Sequence, residues 1–61
     1  MDTYEVRIMT EDGIEVLADP DISGGAEWDV FNEHTRNAEP GEIVQLIHGE
    51  DVIAEFVAWP F

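Results

Sequence analysis

The chain has 61 residues, no cysteine, and 15 Asp and Glu against two Lys and Arg, giving a formal net charge of −13. Its length allows at most one domain, and the missing cysteines exclude disulfides and thiolate zinc sites. The charge opposes phosphate backbones and anionic membranes, so neither direct nucleic-acid binding nor membrane binding is expected.

The hydrophobic share is 44%, spread along the sequence, which is a folded composition rather than that of a disordered acidic tail. No run of about 20 apolar residues is present, and "MDTYEV" lacks a signal-peptide pattern. The expected setting is therefore soluble and cytoplasmic.

"TYEVRIMT" alternates, with Tyr4, Val6 and Ile8 on one face and Glu5, Arg7 and Met9 on the other. "EDG" follows with Gly13 as a hairpin turn signal, and "IEVLA" alternates again. Residues 3–18 are thus predicted as a β-hairpin. "DPDISGG" reads as loop, because Pro20 removes a donor and paired glycines allow unusual dihedrals. "AEWDVFNEHTRN" reads as a helix capped by Ser23 or Gly24, with Glu27 and Asp29 in its first turns and His34 and Arg36 near its end. Its buried arc is expected to centre on Val30 and Phe31. Pro40 and Gly41 stop it. "EIVQLIH" is a third strand, "GED" a tight turn, and "DVIAEFVAW" a fourth strand ended by Pro60.

The order ββαββ predicts an α+β domain over 1–61, a four-stranded sheet with one helix on one face. This layout resembles the immunoglobulin-binding domain of protein G, and the resemblance implies a fourth strand at the sheet centre, parallel to the first. The expected core is Tyr4, Val6, Ile8, Ile14, Val16, Val52, Ala54 and Phe56 under Trp28, Val30 and Phe31. Met9, Leu17, Ile53, Val57 and Trp59 are left on the far face. They read either as scattered surface hydrophobics or as an interface with a second copy or another protein, a twofold dimer being the simplest case. Glu55 alone interrupts that face in the fourth strand: in an interface it needs a partner such as Arg7, or a place at the rim.

Candidate chemistry is sparse. Asp19, Asp21, Ser23 and Gly24 match the opening of a calcium loop, but position twelve is Val30 and a strand precedes it, so loop and cap roles are expected instead. His34 and His48 lie on different elements without ligand spacing, so solvated histidines outweigh a metal site. With Ser23 as the single serine and no cysteine or lysine, nucleophilic catalysis is not expected. No enzyme activity and no cofactor are predicted.

The carboxylates themselves are the candidate functional element. Glu27, Asp29 and Glu33 on the helix, with Asp19, Asp21 and the turn residues Glu11, Asp12, Glu50 and Asp51, can imitate a phosphate array and occupy a basic DNA-binding groove. The alternative is a salt-adapted small structural protein whose charge has no specific partner. The opening "YEV", the Trp-bearing helix, "PGE" and the hairpin "VQLIHGEDVIAEF" resemble small accessory proteins of actinobacterial phages. That resemblance implies binding or inhibition of a host protein in the host cytoplasm, and it assigns no site residue.

Overall fold

The computed structural model describes residues 3–59. Strands β1 (Thr3–Met9) and β2 (Glu15–Ser23) precede helix α1 (Glu27–Arg36), and β3 (Ile43–His48) and β4 (Asp51–Val57) follow it. They form one α+β domain with a single sheet in the order β2-β1-β3-β4, every neighbouring pair antiparallel. The predicted element order therefore holds. The strand order implied by the protein G likeness does not: β1 pairs with β3, and β4 is an edge.

The first hairpin closes at the expected signal. Gly13 N–H donates to the Thr10 carbonyl (2.9 Å), Thr10 N–H to the Ile14 carbonyl (2.8 Å), and Gly13 takes a φ of 86°. Beyond it, the predicted loop at "DPDIS" is strand, because β2 continues to Ser23. An edge strand tolerates Pro20, whose missing N–H can face away from the ladder. The pairing is irregular there: register shifts flank Val6, which faces Asp19, and Asp21 adopts a φ of 55°. These irregularities let Ala18 pack against the core from β2 and return Ile22 to it opposite Tyr4.

The helix starts four residues after Ser23. Ala26 holds the N-cap position without a side-chain cap, so neither Ser23 nor Gly24 serves there. The Ser23 carbonyl accepts the Ala26 N–H, and Glu27 Oε1 accepts the Gly25 N–H instead. At the other end Asn37 N–H and Nδ2 both donate to the Glu33 carbonyl, closing the last turn.

The core joins Val6, Ile22, Phe31, Val44 and Leu46, with Tyr4, Ile8, Ala18, Val30, Ala38 and Ala54 packed around it. Phe31 and Val30 do face the sheet, as the helical pattern predicts. Ile14, Val16, Trp28, Val52 and Phe56, all expected in the core, are exposed instead. The reason is size. A ten-residue helix is about 15 Å long and about 10 Å wide, while four strands spaced about 4.8 Å apart form a wider floor. The helix lies over β3, β1 and β2. Phe56 shares its side of the sheet through the Val44 pairing, yet remains 40% exposed. Trp28 sits edge-on to Phe31 (5.9 Å between ring centroids) and stays half-exposed.

Gly41 shapes the other end of the sheet. Its φ is 92°, its N–H donates to the Ala58 carbonyl (2.7 Å), and Ala58 N–H donates to the Glu42 carbonyl (2.9 Å). This is a glycine-led bulge opposite Ala58, a position that favours a residue without Cβ.

Candidate interaction surfaces

Cross-strand pairing defines what lies on the far side of the sheet. One row reads Leu17, Arg7, Gln45 and Glu55 across all four strands. On one side of it lie Met9, Ile43 and Val57; on the other, Glu5, Ile47 and Val52. The predicted apolar face is therefore crossed by a polar row. Arg7 Nε donates to Glu5 Oε2 and Nη1 to Glu15 Oε1, each at 2.8 Å. These hydrogen bonds, that to Glu5 first, raise the Arg7 pKa further and keep the guanidinium charged. Glu55 accepts from Gln45 Nε2 (2.9 Å) and is exposed. Its neighbour is thus Gln45 rather than Arg7.

The five predicted interface residues divide accordingly. Met9 and Val57 are half-buried and flank Ile43; Leu17 is exposed at the β2 end of the polar row. Ile53 and Trp59 are exposed along β4 and just beyond it, Trp59 at 68%. A register shift between Leu46 and Ile47 makes Ile53 the extra residue and places Val52 opposite Ile47, away from the helix. Simple alternation had assigned Val52 to the helix side, and a bulge reverses that assignment. The regular strand stops at Val57, and Pro60, expected to end it, lies outside the described residues. Ile47, only 6% exposed, was missed because both faces of its strand are apolar.

The acidic candidates gather on the opposite flank of the molecule. Asp29 and Glu33 stand four apart on α1, so they share one side of it. Asp19 of β2 meets the helix at His34 (Oδ2 to Nε2, 3.6 Å). Asp19, Glu33 and His34, with Val30 and Asn37, line an open cleft of about 270 Å³. Asp21 lies farther along the same edge strand, by a second cleft of about 350 Å³. There the Tyr4 and His48 rings stack at 4.4 Å, with Leu17 and Pro20 nearby. Glu27 is set apart from the other acids by its bond to the Gly25 N–H at the helix start. Asp21, Asp29 and Glu33 form no ion pair among the described residues.

Among those residues no group of three or more His, Asp or Glu is arranged to hold a metal ion. Asp19 turns to His34, and Ser23 lies opposite Thr3 in the ladder, so the calcium-like spacing is drawn out along a strand. Among the described residues no helix is long and apolar enough to cross a membrane. Compared with known proteins, the chain matches no family model, no curated protein and no solved structure.

Proposed function

We propose that the chain is a non-enzymatic protein-binding module whose acidic flank occupies the basic, DNA-binding surface of a partner. The observation that carries this reading is the placement of Asp19, Asp21, Asp29 and Glu33 along the β2–α1 flank, three of them in no ion pair among the described residues. Anions held at fixed spacing on a strand and a helix lose little freedom on meeting a basic groove, and their field steers the encounter. In the setting implied by the likeness to actinobacterial phage accessory proteins, the partner is a host protein met in the host cytoplasm.

The test is capture from host lysate on the immobilised chain, followed by elution with duplex DNA and, separately, with salt. The expected result is a basic DNA-binding protein released by both and not retained by the double variant Asp29→Lys, Glu33→Lys. Retention that DNA does not compete away overturns DNA mimicry. If no partner is retained and the chain unfolds below molar salt, the acidity is salt adaptation.

A further inference from the structure

β4 forms an open edge beside β3, and its hydrogen-bonding groups can be oriented. Ala58 directs both its N–H and its C=O toward the β3 side, to Glu42 and Gly41. In an antiparallel ladder this direction alternates residue by residue. Phe56 and Ala54 therefore also bond to β3, while Glu55 and Val57 present their N–H and C=O groups outward. The bulge at Ile53 confines this regular edge to residues 54–57. Edge strands are usually blunted by lysine, proline or inward charge. Here the exposed residues from 53 onward include Ile53, Phe56 and Trp59, with Glu55 the one charge among them.

We propose that this edge pairs with the same edge of a second copy, antiparallel, about a twofold axis at Phe56. Within the regular edge, where Glu55 and Val57 must both find a partner, three conditions select that register. Outward-facing residues must meet outward-facing residues, and side chains must meet on the same face. Glu55 must also avoid Glu55 of the other chain, since like charges directly opposite are destabilising. Pairing Glu55 with Val57 of the second copy, and Val57 with its Glu55, meets all three. Each of these pairs exchanges both backbone hydrogen bonds. Phe56 then faces Phe56 of the second copy at a close, non-hydrogen-bonded position on the helix side. Trp59 of each chain comes level with Ile53 of the other. A foreign strand has no such self-match, which is why a second copy is the occupant. The product is one continuous eight-stranded sheet. The contact is small, in the transient class below about 1,200 Å², and each copy carries a net charge of −13. Salt therefore strengthens it by screening the repulsion.

The test uses the whole chain. Sedimentation is expected to show a dimer that grows with concentration and with added salt. Hydrogen exchange of the unmodified protein is expected to show the Glu55 and Val57 amides gaining protection with concentration, while the Phe56 amide stays unchanged. The chain has no native cysteine, so one introduced thiol reports the register. Phe56→Cys is expected to oxidise to a disulfide dimer at least ~10-fold faster than Glu55→Cys, because only position 56 faces its own copy within disulfide reach. A monomer at every concentration and salt overturns the proposal. So do equal rates for the two thiols, protection of β2 amides in place of Glu55 and Val57, or growth beyond a dimer.

Discussion

The two edges of this sheet treat the same problem in opposite ways. β2 carries Pro20, two register shifts and the positive φ of Asp21, and the helix touches it through His34 and Asp19. Glu15, Asp19 and Asp21 lie along it, beside the exposed Val16 and Leu17. β4 carries one bulge, no proline and no cation, and exposes Ile53 and Phe56. An irregular, charged edge resists pairing, whereas a regular apolar one invites it. The difference separates two surfaces in one small domain: an acidic flank suited to a basic partner and an apolar edge suited to another strand.

Both edges depend on the same small core, so the largest effect comes from breaking it. Leu46 is fully buried in β3 and faces Val6 on one side and Ala54 on the other. Leu46→Ala is expected to cost about 3 kcal/mol. The total stability expected of 61 residues is only roughly 3–9 kcal/mol. Urea denaturation should therefore show the variant left with roughly 0–6 kcal/mol, its midpoint shifted far down and both edges lost together. A folded variant with a separately melting β4 would mean that the two edges belong to different cooperative units.

A change at Gly41 strains the bulge that ties β4 to β3 and meets only the Glu11 side chain of the β1–β2 turn. Gly41→Ala must hold a side chain at positive φ, at about 1–2 kcal/mol, and the added Cβ would lie 3.1 Å from Glu11 Oε2. Denaturation should register that loss. Hydrogen exchange should show faster exchange at Ala58 while the β1–β2 ladder keeps its protection. Unchanged exchange at Ala58 would detach the bulge from the direction of the β4 groups.

The acidic flank can be sharpened in the same manner. Glu27 bonds the Gly25 N–H and lies in the first helical turn, whereas the Glu33 carboxylate bonds none of the described residues. Glu27→Ala is expected to cost ~0.5–1 kcal/mol, and Glu33→Ala to stay within ~0.5 kcal/mol of the parent. Thermal melts of the two single variants decide it. Equal losses would make Glu33 a structural residue and weaken its assignment to a binding surface.

Much of this architecture was legible in local sequence. Gly13 after Asp12 marked the first hairpin, the spacing of Val30 and Phe31 marked the helix face, and Pro40-Gly41 marked its end. What escaped depends on tertiary context. Pro20 and Asp21 read as loop because proline interrupts a ladder, and only an edge position makes them strand. The choice of β3 rather than β4 as the neighbour of β1 is a long-range pairing that no local pattern encodes. The bulge at Ile53 turned Val52 away from the helix, and alternation has no signal for it. Of the five residues expected on the far face, Leu17, Ile53 and Trp59 are exposed, and Met9 and Val57 are half-buried. The polar row through Arg7, Gln45 and Glu55 was not legible, because three strands must be in register before those residues meet.

That row supplies the smallest test, and it sets the two edges side by side. Toward β2, Arg7 joins Glu5 and Glu15; toward β4, the neutral Gln45 joins Glu55. All lie on the solvent side, where ion pairs contribute little and salt screens them. Arg7→Gln removes the cation between two carboxylates and should lower the melting temperature at low ionic strength. Gln45→Arg places a cation beside Glu55 and should raise it. Both differences should fade by about 1 M salt, where the Debye length is about 3 Å. Opposite signs that converge with salt would establish that the two halves of the row differ in charge alone. A loss at Arg7 that persists at high salt would instead assign its stem a packing role on the β1–β2 side, making β2 the better-supported edge as well as the better-guarded one.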